Sequence, residues 1–151
     1  MSLDRIDREL LALLARDGRQ SYKELGEQVH LSPNAVAERV RQLQARGHIR
    51  GVHADVDPAA LGLHLQALVE VKLQAGAPAA RFESFLRGLP GVVGATLLAG
   101  SYDYALRLAV RDQNDFVRVL EALRASGDVL DTQSRMILRE VMQPGNWPDV
   151  Q

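Results

Sequence analysis
Asn34, Glu38 and Arg41 follow one another at intervals of four and three residues, so on a helix they share one face. Their side chains carry the chemistry that reads base edges in duplex DNA. Asparagine bonds adenine bidentately, arginine does the same to guanine, and glutamate accepts from the amine of cytosine. Arg39 lies off that face and suits either a backbone phosphate or an internal ion pair. Ser32, Arg46 and Arg50 flank the group and can bond phosphate oxygens. Nothing comparable points to catalysis. His30, His48, His53 and His64 lack metal-ligand spacing, Ser101 lacks the G-x-S-x-G setting of a nucleophile elbow, and the chain has no cysteine. No cofactor, metal or disulfide is expected.

Charge distribution bears on the same residues. The net charge of -1 is unusual for a nucleic-acid binder, but it is unevenly spread. Residues 1–38 hold seven acids against five bases, whereas Arg39, Arg41, Arg46 and Arg50 follow with no acid before Asp55, and His48 and His53 lie among them. Such a run is a small electrostatic footprint or an ordinary solvated surface, and charge alone does not choose.

The elements that would position these residues can be read from caps and periodicity. Asp4 opens a helix bearing Ile6, Leu10, Leu13 and Leu14, which ends at Asp17-Gly18. Ser21-x-x-Glu24 has the form of a capping box for a second helix with Leu25 and Val29 inward. Ser32-Pro33 opens a third, running to about Arg46 with Val36, Val40 and Leu43 on one face and Gly47 leaving at positive φ. On that helix the opposite face is Asn34, Glu38, Arg41 and Ala45. The second and third helices, joined by a short turn, have the spacing of a helix-turn-helix, whose second helix lies in the major groove. A strand-like stretch, 49–56, predicts a short ribbon beside it, making the unit winged-helix-like.

Beyond Asp57-Pro58 the pattern changes. Leu65, Ala67, Val69, Val71 and Leu73 alternate with polar residues as a half-buried strand. A helix follows, with Phe82, Phe85, Leu86 and Leu89 on one side and Pro90-Gly91 as its stop. Strands from Val92 to Ala99 and from Tyr102 to Val110 flank Gly100-Ser101, read as a two-residue type II′ hairpin turn. Asp112 caps a last helix carrying Phe116, Val119, Leu120 and Leu123, and a final strand runs from Val129 to about Met142. Strand, helix, strand, strand, helix, strand is the ferredoxin-like βαββαβ order. The expected fold class is therefore α+β. Its domains are a helix-turn-helix over 1–56, a linker over 57–63, a ferredoxin-like domain over 64–143 and a tail over 144–151. Two helices cover only one sheet face. The other carries Leu68, Leu98, Ala105 and Ala109 among polar neighbours, and a second subunit is the economical cover. Domains this small also gain from oligomerisation.

The chain of 151 residues is 46% hydrophobic and 25% charged, a globular composition. Its first residues lack a basic-then-apolar leader pattern and no apolar run reaches the ~18 residues of a membrane span, so a soluble cytoplasmic protein is expected.

In this order, Leu3-Asp4-x-x-Asp7, Asp17-Gly18-Arg19, Leu31-Ser32-Pro33, Arg39-Val40-x-x-Leu43, Gly47-x-Ile49 and Gly100-x-Tyr102-Asp103-Tyr104 resemble the Lrp/AsnC, or feast/famine, transcription factors. The resemblance covers nearly the whole chain. It implies double-stranded DNA with a pseudo-palindromic operator as one partner, homodimers assembling into octamers or related rings, and an amino-acid effector bound between dimers. The implied effector residues are Gly100, Ser101, Tyr102 and Asp103 at the hairpin, with Thr132, Gln133 and Ser134 on the last strand. Asp103 suits an amino acid's ammonium and the hairpin amides its carboxylate, although a turn with no ligand uses the same residues. Two positions depart from the family: His30 stands where glycine is common, and Gly26 replaces alanine at an expected cost of about 1 kcal/mol in helix stability. Other readings are an architectural DNA-binding protein indifferent to sequence and ligand, and an enzyme of the siroheme-decarboxylase type, which shares the two-domain plan.

Overall fold
A computed structural model describes residues 3–141. These form two compact units, one up to Asp55 together with Val141, the other Val56–Glu140.

The first unit has three helices, α1 (Arg5–Arg16), α2 (Tyr22–Val29) and α3 (Pro33–Ala45). Each starts where a side chain replaces the missing helical acceptor for an N-terminal amide. Asp4 and Asp7 cap α1 reciprocally, Ser21 and Glu24 do the same for α2, and Ser32 Oγ accepts from Ala35 N–H with Pro33 in the first turn of α3. At the far end of α3, Gly47 takes a φ of +74°. His48 N–H then bonds Leu43 O and Gly47 N–H bonds Gln44 O, the paired closure of a Schellman motif. Leu10, Leu25, Val29, Val36, Val40 and Leu43 meet in one core, with Leu14, Leu31 and Ile49 packed around it.

The expected ribbon after α3 is absent: residues 50–57 form no strand. Val52 and Val56 are exposed, and a lone extended segment has no ladder partner for its amides within these residues. Next, Asp57 Oδ1 accepts from Ala59 N–H and starts a single 3₁₀ turn, Pro58–Leu61, inside the stretch read as linker.

The second unit is an antiparallel sheet in the order β2-β3-β1-β4, built from β1 (Leu65–Leu73), β2 (Val92–Leu97), β3 (Tyr104–Val110) and β4 (Val129–Met136). Helices α4 (Ala79–Arg87) and α5 (Gln113–Ala125) cover one face. Their Phe82, Leu86, Phe116, Val119 and Leu123 pack on Ala67, Val69, Val71, Tyr104, Leu106, Leu108 and Val110. On the other face Leu68 and Leu98 are exposed, Ala105 is half-buried and Ala109 is buried. The uncovered apolar area is thus smaller than alternation alone implies. β4 also stops earlier than expected, at Met136 opposite Ala67, because β1 begins only two residues beyond that pair. Met142 and the 144–151 tail lie outside the described residues.

One ion pair locks this unit. Asp128, just before β4, is buried to 3% exposure and receives two bonds from the Arg81 guanidinium on α4. The Arg81 hydrogen bonds, with a smaller contribution from its charge, hold the Asp128 carboxyl below the usual range against the opposing effect of burial. A depressed native pKa means stability present at neutral pH and lost as pH falls through that lowered value. The thermal midpoint of the wild type should therefore fall below pH ~4. Asp128→Asn should start lower at pH 7 and show a shallower acid limb in the same melting series. Parallel limbs would overturn this assignment.

Candidate nucleic-acid interface and effector site
Val36, Val40 and Leu43 are buried in the core of the first unit, which turns Asn34, Glu38 and Arg41 outward, and all three are exposed. Ser32, Arg46 and Arg50 are exposed as well. Although Ser32 Oγ accepts the Ala35 amide at 3.2 Å, its own hydroxyl proton remains available to an acceptor.

Arg39 is placed in an ion pair. Its Nη1 lies 2.6 Å from Asp4 Oδ2 and 2.8 Å from Asp7 Oδ1. Asp4 Oδ1 accepts the Asp7 amide while Asp7 Oδ2 accepts the Asp4 amide. Each carboxylate thus spends one oxygen on the start of α1 and the other on α3. The Asp7 amide, followed by the Arg39 bond, holds the Asp4 carboxyl below its ordinary value. Arg39 therefore fixes α3 against α1. Its partners lie over thirty residues away in sequence, and their only sequence signal was the pair of capping aspartates.

Glu38 and Arg41 pair with each other across one helical turn, Arg41 Nη2 against Glu38 Oε2. The remaining oxygen, Glu38 Oε1, accepts from Gln42 Nε2 at 2.9 Å. Both carboxylate oxygens expected to meet a cytosine amine are already engaged.

In the second unit, the β2–β3 connection is longer than the expected two-residue turn. Leu97 pairs with Tyr104, and Leu98 N–H bonds Asp103 O at 2.8 Å, so residues 99–102 form the loop. Gly100 has a φ of +144°, closed to side-chain-bearing residues without strain. Asp103 ties the loop to β1: its N–H bonds Val71 O at 2.9 Å and its Oδ2 accepts Leu73 N–H at 2.7 Å. Lys72 Nζ bonds Ser101 O, and Tyr102 Oη donates to Asp131 Oδ2. That acceptor, helped by burial, pushes the Tyr102 hydroxyl up from its ordinary pKa.

The hairpin and the first half of β4 therefore gather around the end of β1. Thr132 stands opposite Val71, Gln133 opposite Glu70 and Ser134 opposite Val69. Strand alternation sends Thr132 and Ser134 to the helix side and Gln133 to the open side, so one chain does not bring the three to a single point. Sequence reading missed Asp131, Lys72 and Glu70 here. Arg135 Nη2 is 2.8 Å from Glu70 Oε2, yet that buried oxygen has no directed hydrogen bond.

Residues 3–44 match the AsnC-type helix-turn-helix domain, and residues 66–147 match the Lrp/AsnC ligand-binding domain. The chain belongs to the Lrp/AsnC family of transcriptional regulators. It is 41% identical over 142 residues to the HTH-type transcriptional regulator AldR of Mycolicibacterium smegmatis, covering 92% of this chain and 83% of that one. Against the leucine-responsive regulatory protein of Escherichia coli K12 the identity is 38% over 144 residues, covering 93% and 88%. Among solved structures, a Neisseria meningitidis transcriptional regulator in complex with L-Met superposes with a TM-score of 0.85 at 34% identity, covering 97% of each chain. Family membership makes the first unit its DNA-binding domain and the second its ligand-binding domain. Among the described residues no helix is long and apolar enough to cross a membrane, and no group of three His, Asp or Glu is placed to hold a metal ion.

Proposed function
We propose that this regulator binds a pseudo-palindromic operator as a homodimer, with α3 in the major groove, and that a free amino acid bound at the β2–β3 loop alters its assembly. The observation that carries the reading is the division of α3: its apolar stripe is consumed by the core, and the opposite face presents Asn34 and Arg41 to solvent. Those side chains read adenine and guanine edges, while Ser32, Arg46 and Arg50 lie where phosphates position the helix. Two half-sites fall about one helical turn, or a multiple of it, apart.

A second copy covers the open sheet face at Leu68 and Leu98, and dimers associate further, up to an octamer. The effector's ammonium meets Asp103 and its carboxylate the loop amides, with Tyr102 and Ser101 beside it; Thr132, Gln133 and Ser134, divided between the two sheet faces of one chain, contribute only where chains associate. The L-Met bound by the Neisseria relative supports an amino acid as ligand. By binding one assembly state more tightly, the effector changes how many DNA-binding domains engage together. Equilibrium binding at fixed salt tests the core of this. A site selected from random duplexes should bind at least ~10³-fold more tightly than bulk random DNA. A ratio near one would leave an architectural protein instead.

A further inference from the structure
Glu38 is the only acidic residue between Glu27 and Asp55, and it sits in the middle of the face that α3 turns outward. A carboxylate there opposes a phosphate backbone, so it weakens binding unless it does something else. Its two oxygens are both held from the next turn, Oε2 by Arg41 and Oε1 by Gln42. The Arg41 side chain is 72% exposed and that of Glu38 47% exposed, so the pair stands in solvent on the face proposed to meet DNA.

We infer that Glu38 determines specificity through Arg41, as a positioning residue, without touching a base; the inference rests on the DNA-reading role proposed for α3. A guanidinium offers five N–H donors in a rigid fork. With Nη2 turned toward Glu38, the fork has a fixed heading and keeps donors for the O6 and N7 of guanine. At the right base, Arg41 bridges guanine and Glu38, and both charges stay compensated. On random DNA, Arg41 must leave Glu38 to reach a phosphate, which strands a carboxylate beside a polyanion. The pair thus penalises nonspecific binding more than specific binding, which is how a repulsive group sharpens discrimination.

Glu38→Gln in the full chain tests this, measured on the selected duplex and on random duplex across a salt series. Random-DNA affinity should rise about three- to tenfold, and its log–log salt slope should steepen by about 0.9 as Arg41 gains a phosphate. Affinity for the selected site should change less than twofold or so, and the ratio between the two should fall accordingly. In an Arg41→Ala background the slope should no longer steepen, because the group that gains the phosphate is gone, although removing a carboxylate left without its cation still raises affinity. A random-DNA affinity that rises with the salt slope unchanged when Glu38→Gln is made in the otherwise wild-type chain would show Glu38 acting as a free surface charge and would overturn the inference alone. So would a preference for cytosine that vanishes with Glu38→Gln while Arg41→Ala leaves it intact. A wild type without any sequence preference would overturn the DNA-reading role and this inference with it. Far-ultraviolet circular dichroism of each variant keeps a folding defect apart from these outcomes.

Discussion
Asp103→Ala should abolish the thermal shift produced by the effector amino acid and should also destabilise the second unit, whereas Asp103→Asn should lose the shift while staying close to wild-type stability. The two substitutions separate the observed tie to β1 from the ligand role proposed for the same carboxylate. Its Oδ2 accepts the Leu73 amide, a bond to a charged group worth roughly 1.5–3 kcal/mol. Alanine removes that acceptor and leaves the amide beyond the last regular β1–β3 pair without its partner. Asparagine keeps a carbonyl oxygen for Leu73 but has no charge to offer an ammonium. Melting against a panel of amino acids reads both effects. With wild-type protein, a ligand at about 100 times its Kd adds about 2.7 kcal/mol. An Asp103→Asn variant that responds like the wild type would reduce Asp103 to a structural tie between loop and strand, and would move ammonium recognition elsewhere around the end of β1.

What the sequence disclosed about these sites follows the range of the interactions involved. The helix starts were legible because capping is local: Ser21 and Glu24, or Ser32 and Ala35, are three residues apart. The inward stripes of α3 and β1 were legible for the same reason, since periodicity fixes which side chains share a face. The β2–β3 loop was not. Gly100-Ser101 has the composition of a tight turn, but the Asp103 side chain and amide bond β1, thirty or more residues earlier, and that tie sets where β3 begins. Likewise, the end of β4 depends on where β1 starts, and the missing ribbon after α3 depends on a partner strand that residues near it do not supply. Arg39 shows both sides. Its place on the shoulder of α3 was readable, but the choice between phosphate and ion pair turned on where α1 lies. The Glu38–Arg41 pair was in principle visible from spacing alone, because residues three apart on a helix are neighbours. Reading each residue singly for its base chemistry concealed it.

Position 26 reverses an expectation drawn from helix propensity, and Gly26→Ala should lower the unfolding midpoint of the first unit rather than raise it. In an open helix the change adds about 1 kcal/mol of stability. Here a Cβ on Gly26 would lie 2.5 Å from Leu31 O and 3.7 Å from Pro33 N. Those are backbone atoms of the turn into α3, which cannot rotate aside as a side chain would, so the helix–turn junction itself has to move. Overpacking of this kind costs roughly 1–3 kcal/mol, enough to cancel the propensity gain and exceed it. The turn is tight because His30 holds a left-handed conformation, φ 57° and ψ 45°, and Leu31 N–H bonds Gly26 O at 2.9 Å. The resemblance to Lrp/AsnC proteins implies alanine at the first position and glycine at the second, and the geometry gives a reason for that combination to be tolerated. Glycine at the turn has the backbone freedom to open space for an alanine Cβ, whereas histidine does not. Adding His30→Gly to Gly26→Ala should thus recover at least about half of the lost stability, an interaction of the kind expected between residues in contact. The consequence reaches α3. Displacing Leu31 to Pro33 shifts the N-terminus of the reading helix, so Gly26→Ala should weaken operator binding even at temperatures where the unit remains folded, and the double variant should regain it. Chemical denaturation and operator titration of the three variants decide the matter: a Gly26→Ala protein as stable as the wild type would mean that the turn yields freely, and its close approach to α2 would then have no part in aiming α3.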